Sequence, residues 1–190
     1  VRLIVDFRLL RIIIIGVLIK CETRGPVFYS HLRVGKDGRH FKCYKFRTMV
    51  KDAEERLKEL LQRDVNVKDE WEKHWKLKND PRITKIGLFL RKTSLDELPQ
   101  IFNVLKGDMS LTGPRPYLLR ELPIVEDGMN TITKVVPGIT GLWQVSGRSD
   151  TDYRYRIRLD IWYIMNWSLW LDVLILLKTI KVVILMKGVR

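Results

Sequence analysis

Asp96 and Glu97 stand side by side in the stretch RKTSLDELPQIFNVLKGDMSLTGPRP, residues 91–116. Adjacent acids admit two kinds of work. The first is structural. Ser94 and Glu97 fit the S-x-x-E capping box, two acids in a first turn suit the helix dipole, and Gly107 is a fitting stop for the helix that follows. Pro99 removes an early backbone bond under such a cap, which moves the expected helix start a residue or two later. The second is chemical. Neighbouring carboxylates on a helix point in different directions, so one can meet a phosphorus atom while the other holds Mg²⁺, an ion that commonly takes one or two carboxylates plus substrate phosphates. A carboxylate can also act as a nucleophile and form an acyl phosphate. The acids are embedded in cations: Arg91 and Lys92 before them, Arg115 between Pro114 and Pro116, and Arg148 in a Gly-containing turn. An anion site at a helix N-terminus needs such a mixture, and this favours the chemical reading.

The chain that must position these groups has 190 residues, enough for one domain with a real core. Hydrophobic residues make up 46%, which excludes a disordered chain. Thirty-five basic against 22 acidic residues leave a formal charge of +13, which favours anionic partners: nucleic acid, acidic lipid or phosphorylated substrates. Aromatics cluster in apolar segments instead of alternating with cations on a stacking surface, which argues against nucleic acid. Cys21 and Cys43 form no disulfide framework, and with His31, His40 and His74 scattered they give no transition-metal spacing. A reducing cytoplasmic setting fits.

Both ends are apolar. Residues 3–19, LIVDFRLLRIIIIGVLI, contain 13 strongly apolar residues, worth roughly −4 to −8 kcal/mol on an insertion scale. Asp6, Arg8 and Arg11 oppose this by up to about 8 to 10 kcal/mol if deeply placed, so a simple span is not expected. The charges also interrupt any signal-peptide core. A half-inserted or surface-lying helix and a buried helix both remain open. Near the other end, residues 161–187 open with Trp162, Tyr163, Trp167 and Trp170 and continue as an aliphatic run. Lys178 and Lys181 share a face of that run. This pattern matches a helix lying in a bilayer interface, and also an ordinary amphipathic core helix. Two such ends on one basic chain favour peripheral or monotopic membrane attachment.

Between them, Val27–Tyr29 and Phe41–Phe46 read as strands joined by Gly35–Gly38, a β-hairpin. Alternation is expected to place Lys45 and Arg47 on one side, facing phosphate or water. Residues 51–78 predict a helix with a break near Asp64–Asn66, read as scaffold. The prolines beside Arg115 stiffen its loop. No internal repeat or second domain is visible.

Four stretches in order, GPVFYSHLRVGKDGRHFKCYKFRTM (25–49), LKNDPRITKIGLFLRKTSLDELPQIFNVLKGDMSLTGPRP (77–116), VPGITGLWQVSGRSD (136–150) and LDIWYIMNWSLWLDVLILLKTI (159–180), closely resemble the bacterial sugar transferases, or monotopic phosphoglycosyl transferases. The resemblance covers nearly the whole chain. The insert at 51–78 and the run from Ser149 to Asp172 look most like undecaprenyl-phosphate galactose or glucose phosphotransferases of O-antigen, capsule and exopolysaccharide synthesis.

The resemblance implies a mostly helical α+β fold: a single monotopic membrane-associated domain over 1–190, with a small β-hairpin, a membrane-associated helix at 1–20 and a C-terminal amphipathic interfacial helix. It implies transfer of a sugar-1-phosphate from a UDP-sugar to undecaprenyl phosphate, with release of UMP, at the cytoplasmic face of the bacterial inner membrane. Asp96 would be the nucleophile, forming an aspartyl-phosphosugar, and Glu97 would help bind Mg²⁺. Lys45, Arg91, Arg115 and Arg148 would contact phosphates, with Asp160 a weaker candidate. UDP-sugar, undecaprenyl phosphate and anionic membrane lipid are the expected partners, and nucleic acid is not. The alternative is a non-catalytic basic membrane-surface or assembly protein degenerate from this family. One departure stands out: the Ser-Pro break of the family's re-entrant helix corresponds here to Leu9-Leu10, flanked by Arg8 and Arg11. Many relatives of this subtype carry a preceding membrane domain, so a chain starting at Val1 reads as either a fragment or an incorrectly bounded product.

Overall fold

The computed structural model describes residues 2–125, 128–147 and 152–184. The fold is mostly helical α+β with two small sheets. The chain divides into two compact units, the first drawn from Val1–Val27 and Phe46–Asp96, the second from Phe28–Lys45 and Glu97–Val189.

The first unit holds four helices: α1 (Arg2–Glu22), α2 (Ala53–Arg63), α3 (Val65–His74) and α4 (Lys85–Thr93). Helix α1 runs unbroken through Leu9-Leu10, as a segment without Ser-Pro should. Ile12, Ile15 and Ile19, three and four apart, lie on one stripe and pack with Phe46, Leu90, Val27, Ile86 and Leu95. Ile13, Ile14, Val17 and Leu18 are exposed instead. The end of α1 also fixes α4. Lys85 N and Ile86 N donate to the two carboxylate oxygens of Glu22, at 2.7 and 2.9 Å, and Gly87 N donates to the N-cap Thr84 Oγ1. These bonds satisfy amide donors that a helix N-terminus leaves unpaired, and the negative charge suits the dipole. Helix α4 then lies so close to the backbone of Thr48 that a Cβ on Gly87 would fall 2.0 Å from its carbonyl oxygen.

The long helix expected over 51–78 is split where predicted. Asp64 ends α2 and caps α3, its side chain accepting from Asn66 N and Val67 N. Arg47 corrects the expectation that it shares a face with Lys45. The strand ends at Phe46, and Arg47 is buried, donating to the carbonyls of Thr23, Arg24 and Pro26. Its planar guanidinium ties down the chain leaving α1 through Nε and both terminal nitrogens, one carbonyl each.

The second unit begins with the predicted hairpin, β1 (Phe28–Val34) and β2 (His40–Phe46), whose last residue belongs to the first unit. Its turn has Asp37 and Gly38 at φ 55° and 73°, the left-handed region that Asp tolerates and Gly favours. There follow α5 (Ile101–Lys106), β3 (Ser110–Thr112), α6 (Leu122–Val125), α7 (Gly128–Ile132), β4 (Gly138–Thr140), α8 (Leu142–Val145), α9 (Tyr153–Met165) and α10 (Leu169–Ile184). Strands β3 and β4 are parallel, with Ser110 opposite Gly138 and Thr112 opposite Thr140. Tyr117, Val125, Ile132 and Ile157 form one core and Phe41, Cys43 and Met109 another.

The apolar run of residues 161–187 is interrupted at Asn166–Ser168, and its residues beyond 184 lie outside the described residues. Asp172 ties the corner, accepting from Tyr163 OH at 2.6 Å and Trp167 Nε1 at 3.1 Å. Ile175 is fully buried, while Trp170, Leu174 and Leu177, four and three apart, are exposed at 78, 44 and 61%. Among the described residues no helix is long and apolar enough to cross a membrane.

Candidate active site

The SLDEL segment does not form the capping box. Ser94 is the left-handed C-cap of α4, φ 58°, with its N–H turned back to the carbonyls of Leu90 and Arg91. Leu95–Gln100 is a 3₁₀ turn containing Pro99, and α5 starts only at Ile101. Gly107 ends α5 in the left-handed region, as expected. Asp96 and Glu97 therefore sit in a tight irregular connection, where consecutive side chains are rotated by roughly a third of a turn. Asp96 is the last residue of the first unit before the chain passes into the second at Glu97.

In the first unit, Asp96 is buried at 9% exposure. Arg91 comes from the last turn of α4 and donates through Nε to Thr48 Oγ1 at 2.9 Å. Burial lowers the Arg91 pKa against the pull of Asp96 and Asp80. Asp80 is itself held by Arg82 in a buried pair at 2.6 Å, and Arg82 stacks over Trp71.

In the second unit, Lys45 Nζ donates to Glu97 Oε1 at 2.6 Å, both side chains about one-third exposed. Strand β2 is held to α5 by the fully buried Asn103, which accepts from Tyr44 N and donates to Lys42 O. The lysine and the carboxylate are thereby set from two braced elements. Burial works to raise the Glu97 pKa. Lys45 outweighs it, with help from Arg115 and Arg33, and the carboxyl is held below its usual value.

Arg115 leaves the Pro-flanked loop with its side chain 24% exposed. It donates through one terminal nitrogen to Glu121 Oε1 at 3.2 Å, and its guanidinium lies 5.5 Å from the Trp143 ring centre. Glu121 is buried and also accepts from Leu118 N, while Arg33 donates to Pro116 O and approaches Glu121 at 3.9 Å. Arg156 stacks over the same indole at 5.2 Å. Asp160 is completely buried. Its Oδ2 accepts from Tyr117 OH at 2.7 Å and from Arg115 N at 3.1 Å. Burial pushes its carboxyl up to about 6, although both donors and the Arg115 charge pull the other way. Asp160 thus touches the backbone that carries Arg115.

The second unit accordingly gathers Lys45, Glu97, Arg115 and Asp160 from the predicted set, whereas Asp96 and Arg91 belong to the first. Arg148 lies outside the described residues. Sequence reasoning did not single out Arg33, Glu121, Trp143, Tyr153 or Arg156. Their contacts span long separations, such as Arg33 to Pro116; Arg33, Trp143, Tyr153 and Arg156 lie within stretches that carry the resemblance, and Glu121 lies in none of them.

The bacterial sugar transferase family model matches residues 2–186. The chain belongs to that family. Among curated sugar transferase relatives, an undecaprenyl-phosphate galactose phosphotransferase of Salmonella typhimurium is 58% identical over 164 residues, 86% of this chain and 34% of its own length. A UDP-galactose-lipid carrier transferase of Erwinia amylovora is 51% identical over 180 residues, 95% of this chain and 38% of its own. The exopolysaccharide production protein ExoY of Rhizobium meliloti is 45% identical over 176 residues, 93% of this chain and 78% of its own. The chain thus spans a little over a third of the length of the first two sugar transferases.

Proposed function

We propose that the protein transfers a sugar-1-phosphate from a UDP-sugar to undecaprenyl phosphate, as a membrane step of polysaccharide synthesis. The observation that carries this reading is the Lys45–Glu97 pair at 2.6 Å beside Arg115 and directly following Asp96 in the chain. A carboxylate kept ionised by a lysine, next to a second carboxylate and among arginines, suits phosphoryl chemistry better than helix capping.

In this reading an Asp96 carboxylate oxygen attacks the sugar-bearing β-phosphorus. The bond from that phosphorus to the bridging oxygen breaks, and UMP leaves with the electron pair. A phosphate oxygen of undecaprenyl phosphate then attacks the aspartyl-phosphosugar, restoring the carboxylate. Lys45, Arg91, Arg115 and Arg148 hold phosphate oxygens, and Asp160 fixes the Arg115 loop. Each well-placed donor to the transferring group is worth a few kcal/mol.

Glu97 fits a magnesium ligand: an ionised carboxylate, one-third exposed, with the Lys45 bond on Oε1. Among the described residues no group of three or more His, Cys, Asp or Glu gathers, so the protein would contribute few ligands and the diphosphate the rest, as Mg²⁺ commonly accepts. When bound, the ion supplies charge neutralisation and Lewis-acid polarisation.

The exposed Trp170–Leu174–Leu177 stripe of α10, with Lys178 and Lys181 on the same helix, supports an interfacial seat on anionic lipid at the cytoplasmic face of a bacterial inner membrane. The exposed Ile13, Ile14, Val17 and Leu18 of α1 support the same monotopic attachment.

The test offers a panel of UDP-sugars to detergent-solubilised protein with Mg²⁺ and undecaprenyl phosphate. UMP release with one sugar is expected. Without lipid, intact mass should rise by one hexose-phosphate, and the adduct should vanish in Asp96→Asn. An adduct that persists in Asp96→Asn, or no UMP from any sugar, overturns the reading. Liposome binding unchanged in Asp96 and Glu97 variants, without UMP, would mark a non-catalytic relative.

A further inference from the structure

Among the described residues, five buried side-chain polar atoms have no hydrogen-bond partner: Arg33 Nε, Arg115 Nε, Trp143 Nε1, Tyr153 OH and Asp160 Oδ1. All five belong to one cluster of the second unit. Arg115 links them: it lies over Trp143, its backbone donates to Asp160, and Glu121 joins it to Arg33. Tyr153 packs edge-on against Tyr117, the phenol that donates to Asp160.

Native interiors pair their buried polar groups, so orphans gathered in one place mark a ligand or ordered water. Four of these five are donors. Trp143 is only 8% exposed and its indole N–H can do nothing but donate. The charge points the same way: Arg33, Arg115 and Arg156 outnumber Glu121 and Asp160 even with both carboxyls ionised. Arg115 and Arg156 are held near the same indole despite their mutual repulsion. A carbonyl or a water offers two lone pairs. The diphosphate of a UDP-sugar offers four non-bridging oxygens and negative charge, which suits these four donors and the surrounding guanidinium charge.

We propose that Trp143 Nε1 and Tyr153 OH, with Arg33, Arg115 and Arg156, form a subsite that binds the phosphoryl oxygens of the nucleotide diphosphate. This rests on the proposed function, and it deepens it by assigning two neutral donors whose removal leaves every charge in place. Trp143 and Tyr153 are substrate-binding residues here, and Asp160 and Glu121 position the arginines between them.

The experiment uses Trp143→Phe and Tyr153→Phe, which keep most or all of each ring and delete one donor. Calorimetric titration of the full chain in detergent with UDP, pyrophosphate and inorganic phosphate reads affinity, and thermal melting of the free protein reads structure. Each variant should bind UDP about tenfold more weakly or worse, the usual consequence of losing a hydrogen bond to a charged group. The ligand-free Tm should stay level in Tyr153→Phe, because the deleted donor has no protein partner. KM for the UDP-sugar should rise more than kcat falls.

Affinities within twofold of wild type in both variants would overturn the subsite and leave buried water as the partner, with UMP release still supporting the transferase reading. Weaker binding of pyrophosphate and phosphate in the variants, with no UDP-dependent turnover by wild type, would uphold the subsite and defeat that reading. A wild type that binds none of the three probes overturns the subsite.

Discussion

Lys45 is the principal cation holding the Glu97 carboxyl below its usual value, with Arg115 and Arg33 acting in the same direction. Burial alone would drive the carboxyl upward, and the 2.6 Å bond from the lysine reverses the direction. A carboxyl held below its unfolded value contributes stability that is present above that value and is lost as pH falls through the folded one. Lys45→Met leaves burial less opposed. The acid limb of the kcat/KM profile should move to higher pH, and kcat/KM at neutral pH should fall by roughly 10²-fold if Lys45 also holds a phosphate oxygen. A pH–rate series on both proteins checks this, and an unmoved limb would remove Glu97 from the chemistry. Arg47 shows the converse: a cation beside a motif, spent wholly on three backbone carbonyls.

At the scale of elements, close approaches place α4, and Gly87 is where they are tightest. Gly87→Ala puts a Cβ 2.0 Å from Thr48 O, so strand exit and helix must separate. The expected cost is about 1–3 kcal/mol or more, read as a lowered midpoint in thermal or urea unfolding. Gly107→Ala meets no atom within 4 Å but must hold φ 81°, and should cost only about 1 kcal/mol. The hairpin and the Asp64 break were legible because local chemistry fixes them, a turn of left-handed residues in one case and a capping carboxylate in the other. The capping alternative weighed for SLDEL is excluded because Ser94 is committed to ending α4, which no window centred on the acids reveals. Of the candidate site, Asp96, Glu97, Lys45 and Arg115 were legible through the family motifs. Glu121 and Tyr153 were not, because what makes them notable is a long-range partner or the lack of one.

For the whole molecule, the proposed interfacial seat combines a formal charge of +13 with apolar stripes on α1 and α10. Attraction to anionic lipid should weaken with salt, whereas burial of Trp170 and Leu177 should not. The double change Trp170→Glu and Leu177→Glu is expected to cut flotation with phosphatidylglycerol vesicles at least about tenfold in high salt. Wild-type flotation in high salt should persist, and equal behaviour of the two proteins would exclude α10 as the anchor.

The first unit is assembled from two stretches of chain with the second unit's hairpin between them. Ile15 and Ile19 are synthesised about 70 residues ahead of Leu90, so at ~5–20 residues per second their core partner emerges on the order of 4–14 s later. Until α4 brings Ile86 and Leu90, α1 has only Val27 and Phe46 of its core partners to cover its isoleucine stripe, and a lipid surface would cover the rest. Bilayer contact would then act as a temporary template, with the rest of the isoleucine stripe handed over to Leu90 only when translation delivers it.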